Sequence, residues 1–359
     1  LVAGNNVVTL ESLTIKNGYS NWGGALTFGN GDTLTLNQCN FINNVAEQGG
    51  GVFNSNGGVV DIFNCLFENN SSVNGRSVIN IGNDVDDENS NISISISHSI
   101  FNDNNSDSKG AVNVWEADSV EISNCTFSNN YSGSYAGALN VHDVNYFIME
   151  NSHVLNNRCV TGSGGGISTW DLNYGLIKNS SIIGNVSEQG NGGGMVLWSN
   201  ANMKIINSTI ADNQAQSAQD LFIKHNSTLK LENSVVYNRN TYDQIGLYDS
   251  FLEFDDIEQA CTLTLQGTNL IRGGLPYIYK DTLSTINSTG ILFLSNPLFC
   301  GPEDGDYTLA SNSPLISLLH QENIQIGATS VVGCEAITIG NVVINEIMNN
   351  PNLIEDSEG

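Results

Sequence analysis

Short stretches of alternating apolar and polar residues recur along the chain in a fixed frame. Each places an apolar residue two positions before a tetrad that ends on another apolar residue. The tetrads read SLTI from Ser12, QCNF from Gln38, NCLF from Asn64, HSIF from His98 and NCTF from Asn124, then NSHV from Asn151, NSSI from Asn179, NSTI from Asn207 and NSVV from Asn233. Successive copies lie 26, 26, 34, 26, 27, 28, 28 and 26 residues apart, so only one step is long. Before the tetrads stand Leu10, Leu36, Ile62, Ile96, Ile122, Met149, Ile177, Ile205 and Leu231. At their last positions stand Ile15, Phe41, Phe67, Phe101, Phe127, Val154, Ile182, Ile210 and Val236. A period of two around such columns predicts strands with one face buried. A further strand is predicted after the glycine turns, at Leu26 and Phe28, Val112 and Val114, Leu139 and Val141, and Met195 and Leu197.

Three short strands per coil, repeated on uniform columns, predict a parallel β-helix. One coil cannot bury its apolar face alone, so neighbours stack into a continuous core. The expected fold is an all-β solenoid with nine regular coils over 8–249 and irregular coils with a cap over 250–335. At ~4.8 Å per coil, nine coils make a rod about 43 Å long. A leucine-rich repeat is excluded because its consensus is absent, and a WD-type propeller because its repeats run to about 40–45 residues.

The asparagines that open the tetrads (Asn64, Asn124, Asn151, Asn179, Asn207, Asn233) read as turn residues whose amides stack along the axis in a buried ladder. The Asn-x-Ser/Thr sequons at Asn124 and Asn207 then follow from the ladder and are not expected to carry glycans. His98 takes an asparagine position in this column and reads as a turn residue, not a catalyst. Cys39, Cys65 and Cys125 share an inward column with Ser99, Ser152, Ser180, Ser208 and Ser234, so they read as small core residues. Cys39 and Cys65 are close enough for a disulfide, but parallel stacked side chains rarely reach the required dihedral.

Composition narrows the partners. Lys and Arg number 11 against 37 Asp and Glu, a net charge of −26. So few basic residues exclude a phosphate-backbone footprint, and the acidity opposes anionic membranes. No apolar run reaches the ~18 residues of a membrane span, so direct insertion is not expected. The long coil carries NDVDDENSN, where Asp84, Asp86, Asp87 and Glu88 are candidate calcium ligands, although the ligand order of an EF-hand is missing. Apart from that calcium, no cofactor is expected. The chain opens on Leu1 without a methionine and is expected to be a processed or excised piece.

The turns GGAL, AGAL and GGGI, paired with CTFSNN and CNFINN, resemble the GGA(I/L) and FxxN repeats of polymorphic outer-membrane-protein-like β-helix proteins of bacterial surfaces. That resemblance implies a right-handed parallel β-helix and an extracellular or cell-surface location. Residues 288–335, with NPLFCGPEDGDYTLASNSPLI, resemble the terminal coil of large bacterial surface β-helix proteins, with SLLH in place of the usual Asp-Ala-Gly. Cys300 and Cys334 bracket that coil and are the better disulfide candidate, which would imply an oxidising compartment. The stretch VVINEIMNNPNLIEDSEG resembles the opening of a lamin-tail-type Ig-like domain, making 336–359 a linker and the truncated start of such a domain.

One column is outward and aromatic. Three residues after Val112, Leu139, Ile167 and Met195 come Trp115, His142, Trp170 and Trp198; in the first coil Gly29 takes this place. Alternation turns these side chains away from the core, on four successive coils about 4.8 Å apart. The next residues are Glu116, Asp143, Asp171 and Ser199, and the column two earlier is Asn113, Asn140, Ser168 and Val196. The rings read either as a self-stacked ladder or as a flat platform for a sugar or a partner surface. The expected function is a non-enzymatic surface segment: a rigid spacer, an adhesin or an assembly subunit, contacting a glycan, a protein partner or other copies of itself through Trp115, His142, Trp170 and Trp198. The alternative is a polysaccharide-active enzyme, a glycosidase or a lyase, using Glu116, Asp143 and Asp171. Against it, Arg76, Arg158, Arg239 and Arg272 lie in other columns, and the Arg-Ile-Lys signature of polygalacturonases is absent.

Overall fold

The computed structural model describes residues 6–27, 33–82, 92–248, 260–316, 318, 324–329 and 331–337. They form a parallel β-solenoid with almost no helix. Three sheets wrap the rod. The first has 18 strands, the second 11, one per turn from Thr14–Lys16 to Ile291–Phe293, and the third has seven two-residue strands from Tyr19–Ser20 to Val186–Ser187.

The predicted columns are the registers of these sheets. Leu10 pairs with Leu36, Leu36 with Ile62, Ile62 with Ile96, and the series runs unbroken to Leu231. In the second sheet Phe41, Phe67, Phe101 and Phe127 stack with centroids 5.0, 4.6 and 4.6 Å apart and planes within 9° of parallel. Cys39, Cys65 and Cys125 are buried thiols outside any disulfide, as the inward column predicts. Burial pushes Cys65 and Cys125 up to about 11, so they are inert apolar fillers.

Three details add to or correct the expectation. Among the described residues the second sheet runs through eleven turns: beyond the nine regular ones, Thr268–Ile271 and Ile291–Phe293 continue it in the stretch expected to hold irregular coils. Their signature is hidden because Gly267, with φ +64°, turns the corner where asparagine did, and Asn269 takes the inward place beside Ser234, accepting its N–H at 3.0 Å. Next, besides the three expected strands, the first seven turns carry a further two-residue strand, which builds the third sheet. The strand after the glycine turn lies in the first sheet, and in three central turns it fuses with the one that follows, giving Val112–Ser123, Leu139–Glu150 and Ile167–Lys178.

The third detail concerns the asparagines. All nine tetrads open on a residue with φ between 45° and 55°, His98 included, so this column is a left-handed corner, a conformation asparagine tolerates better than most residues. The corner faces outward, and Asn64, Asn124 and Asn151 are exposed. The buried amide ladder stands six residues further on. There Asn44, Asn70, Asn104, Asn130, Asn157, Asn185 and Asn213 each donate from Nδ2 to the Oδ1 of the next, at 2.9–3.1 Å, and Asn213 donates to Asp220 at 2.8 Å.

The described residues between 299 and 334 pack along the side of the rod. Strands Phe299–Gly301, Asp306–Ala310 and Val332–Cys334 form a flap against the flank of the second sheet, closed by the disulfide Cys300–Cys334. Phe299, Leu309, Leu315 and Ile326 pack on Val235 and Leu270, whose side chains point out of the solenoid. The acidic stretch 83–91, the positions Phe28 and Gly29, and the lamin-tail-like 341–359 lie outside the described residues.

Candidate functional site: an aromatic stripe beside an acidic corner

Parallel register brings the four predicted residues into one line. Gly82 pairs with Trp115, Trp115 with His142, His142 with Trp170, and Trp170 with Trp198. Their environments differ. Trp115 is only 7% exposed: its ring lies flat on Gly82, with the Arg76 guanidinium 4.9 Å from its centroid. It keeps the outward register of the stripe but is covered, so it offers no open face. A side chain at position 82 would occupy the same space, so glycine is what lets the ring fold down.

His142 is half-buried and its ring meets Trp170 at 5.4 Å, tilted 59°. Trp170 and Trp198 are stacked at 5.5 Å and 16°. Lys224 sits 4.4 Å over the Trp198 ring, and His225 meets its edge at 5.3 Å. Trp198 is thus hemmed in, while Trp170 stays 38% exposed and is the open part of the stripe. The column two residues earlier is not open either: Asn140 donates to Asn113 at 2.7 Å and Asn113 to Asn80 at 2.8 Å, a second buried amide ladder beneath the stripe.

The acidic residues beside the rings are corners. Glu116, Asp143 and Asp171 have φ of 53°, 53° and 45°, and Ser199 has 47°. Pairing skips this position: Trp115 pairs with His142 and then Ala117 with Val144, so each fused strand bends here and continues. Asp143 and Asp171 are brought together with His142, one ligand-type atom from each lying within 4.8 Å of the others; Glu116 is not in the group. His142 Nε2 is 3.1 Å from Asp143 Oδ2. Asn200 Nδ2 donates to Asp171 Oδ1 at 3.1 Å, and Asn226 Nδ2 to Asn200 Oδ1 at 2.8 Å. Partial burial raises the Asp143 carboxyl above its ordinary value, opposed by His142 and assisted by Asp171.

A second aromatic pair escaped the sequence reading. Tyr146 and Tyr174 pair four residues past His142 and Trp170, are exposed, and approach to 6.3 Å. Between them and the corner, Asn173 Nδ2 donates to Asn145 Oδ1 at 2.7 Å. Their signal was the spacing of aromatics within the fused strands, which becomes legible once the strand is known to continue past the corner. The arginines are engaged elsewhere: Arg158 with Glu188, Arg239 with Asp212 at 2.6 Å, and Arg272 over the Tyr242 ring at 4.4 Å.

Set against known proteins, no family model matches the chain, and neither a curated protein nor a solved structure matches it. Its class rests on its own geometry, that of a parallel β-solenoid carrying a partly open aromatic stripe.

Proposed function

We propose that this chain is a non-enzymatic segment of an extracellular, cell-surface protein, a rigid spacer or adhesin that presents its stripe to a neutral glycan. The observation that carries this is the Trp170–Trp198 stack with its open Trp170 face, flanked by Asp143, Asp171, Asn200 and Tyr174. Flat apolar rings beside carboxylates and amides match the alternating apolar faces and hydroxyl edges of sugars. The acidity of the corner, within a chain of net charge −26, repels uronic acids and other anionic sugars and leaves neutral ones. Surface location is supported by the Cys300–Cys334 disulfide, which suits an oxidising compartment, and by the resemblance of the GGA(I/L) and FxxN repeats to bacterial surface β-helix proteins. The lamin-tail-like end fits a chain of modules on such a surface.

A glycan array with intact chain and the Trp170→Ala variant tests this. Expected are binding of neutral oligosaccharides by the intact chain, its loss in the variant, and a stability change of no more than about 0.5–1.5 kcal/mol from the lost ring pairing. A blank array for the intact chain overturns the glycan; light scattering then shows whether the stripe joins copies of the chain instead.

One observation favours a second reading. Ligand-type oxygens of Asp143 and Asp171 lie within 4.8 Å, close to the roughly 5–5.5 Å carboxyl spacing of retaining glycosidases. A polysaccharide-active enzyme requires release of reducing ends by the intact chain and its loss in Asp143→Asn.

A further inference from the structure

We propose that His142, Asp143 and Asp171 form a binding site for a divalent transition-metal ion of the zinc class. This does not rest on the glycan reading, and the two fail separately, because metal uptake is measured without sugar.

The first argument is geometric. Ligand-type atoms of the three side chains lie within 4.8 Å of one another, and the His142–Asp143 edge is 3.1 Å. Zinc at about 2.0–2.2 Å from nitrogen and oxygen ligands requires neighbouring ligands about 3.4 Å apart. One edge already meets this spacing, and side-chain rotation at a half-open surface closes the rest. The backbone needs no change. His142 and Asp143 are consecutive on one strand, and Asp171 occupies the same corner on the next, in the register His142↔Trp170 and Val144↔Leu172.

The second argument is charge. Two carboxylates stand on adjacent turns, and among the described residues the only ion-pair partner of either is His142. The lysine and arginine nearest along the stripe are committed to rings, Arg76 over Trp115 and Lys224 over Trp198. A bound cation would remove the repulsion that this stacking creates.

The third argument is the support behind the ligands. Ligating carboxylates are characteristically held by outer hydrogen bonds. Here Asn226 donates to Asn200 and Asn200 to Asp171 Oδ1, which leaves Oδ2 for the ion. The Trp170 ring packs on His142 at 5.4 Å and limits its rotation.

The donor set selects the ion. Calcium takes about 6–8 oxygens, which one imidazole and two carboxylates do not supply. An imidazole with two carboxylates suits zinc, nickel or copper, and the remaining coordination is completed by water.

The test uses the intact chain and metal alone. Calorimetric titration with zinc is expected to give one equivalent of uptake, unaffected by excess calcium. Affinity should fall on the order of a hundredfold in His142→Ala and Asp171→Asn, and about tenfold in Asn200→Ala. Glu121→Gln, an exposed acid on the same sheet, controls for unspecific attraction of cations and should bind as the parent does. Cobalt adds a readout that a merely acidic surface does not give: visible absorption of a low-coordinate Co²⁺ ion with nitrogen ligation, absent in His142→Ala. Circular dichroism confirms that each variant is folded. No stoichiometric zinc uptake, uptake undiminished in folded His142→Ala and Asp171→Asn, or a purely octahedral aquo-like cobalt spectrum would each overturn the proposal.

Discussion

A residue's direction on these strands decides what its loss costs. Phe127 is fully buried and stacked at 4.6 Å on Phe101, while Thr126, one position before it, is half-buried on the opposite face. Phe127→Ala should therefore destabilise by about 3–5 kcal/mol, and Thr126→Ala by no more than about 0.5 kcal/mol, the usual range for surface changes. Denaturant melts of the two variants check this, and equal effects would mean the faces are misassigned. The same alternation made the inward columns legible from sequence, because a period of two needs no knowledge of neighbours. Trp115 shows where it stops. Its outward direction followed from the pattern, but its burial depends on a glycine one turn below and an arginine from a glycine turn, Gly82 and Arg76, and neither is visible in the period of its own strand.

At the scale of an element, the asparagine ladder from Asn44 to Asn213 is a continuous polar column inside the rod, and each amide closes its neighbour's hydrogen bonds. Asn130 donates to Phe101 O and Asn157 Oδ1 and accepts from the N–H and Nδ2 of Asn104. Asn130→Ala would leave several buried groups unpaired at ~1–3 kcal/mol each, so a loss of about 3 kcal/mol or more is expected in a urea melt. Turns such as 124–130 carry asparagine at three positions, Asn124, Asn129 and Asn130, and the period alone points to the first of them as the ladder. Which of them is buried depends on where the two left-handed corners fall, at Asn124 and Asn129 for example, and periodicity does not encode that. The ladder ends on Asp220, whose carboxyl is pushed up to about 7 by burial, against the hydrogen bonds from Asn213 and with the Asp212 charge adding to the rise. In the unfolded chain an aspartate titrates near ~3.9. Between those values the folded state holds a proton that the unfolded state has lost, so stability falls as pH rises through about 4 to 7 and stays reduced above it. The slope is up to about 1.4 kcal/mol per pH unit. Asp220→Asn keeps the accepting oxygen and removes the proton. Melts from pH 4 to 8 should show the variant gaining on the parent as pH rises, and a constant difference would assign the titration elsewhere.

For the whole molecule, repeat length and column chemistry were enough to establish a solenoid, because stacking is the only way such coils bury their apolar faces. They did not place the C-terminal part, where long-range contacts decide. The expected cap became a flank-bound flap because Val235 and Leu270 point out of the second sheet and need cover, which Phe299, Leu309 and Ile326 provide. Polar anchors join it to the coils: Tyr307 Oη donates to Asp212 Oδ2 at 2.6 Å, Ala328 N–H to Thr209 Oγ1 at 2.9 Å, and Gly327 N–H to Asn233 O at 3.0 Å. The flap also contains the disulfide Cys300–Cys334, which closes a separation of 34 residues. Closing a loop of that length stabilises by about 3–4 kcal/mol in the chain-entropy account. That gain belongs to the flap alone, since both cysteines lie within it, while the solenoid core from Leu34 to Ile271 is continuous without it. Reduction, or the paired change Cys300→Ser and Cys334→Ser, should therefore raise amide exchange across 299–334 and expose Val235 and Leu270. Exchange at the ladder residues from Asn44 to Asn185 should stay as slow as before. If flap and ladder lose protection together, the flap is not a separate cooperative unit, and the rod depends on it for stability.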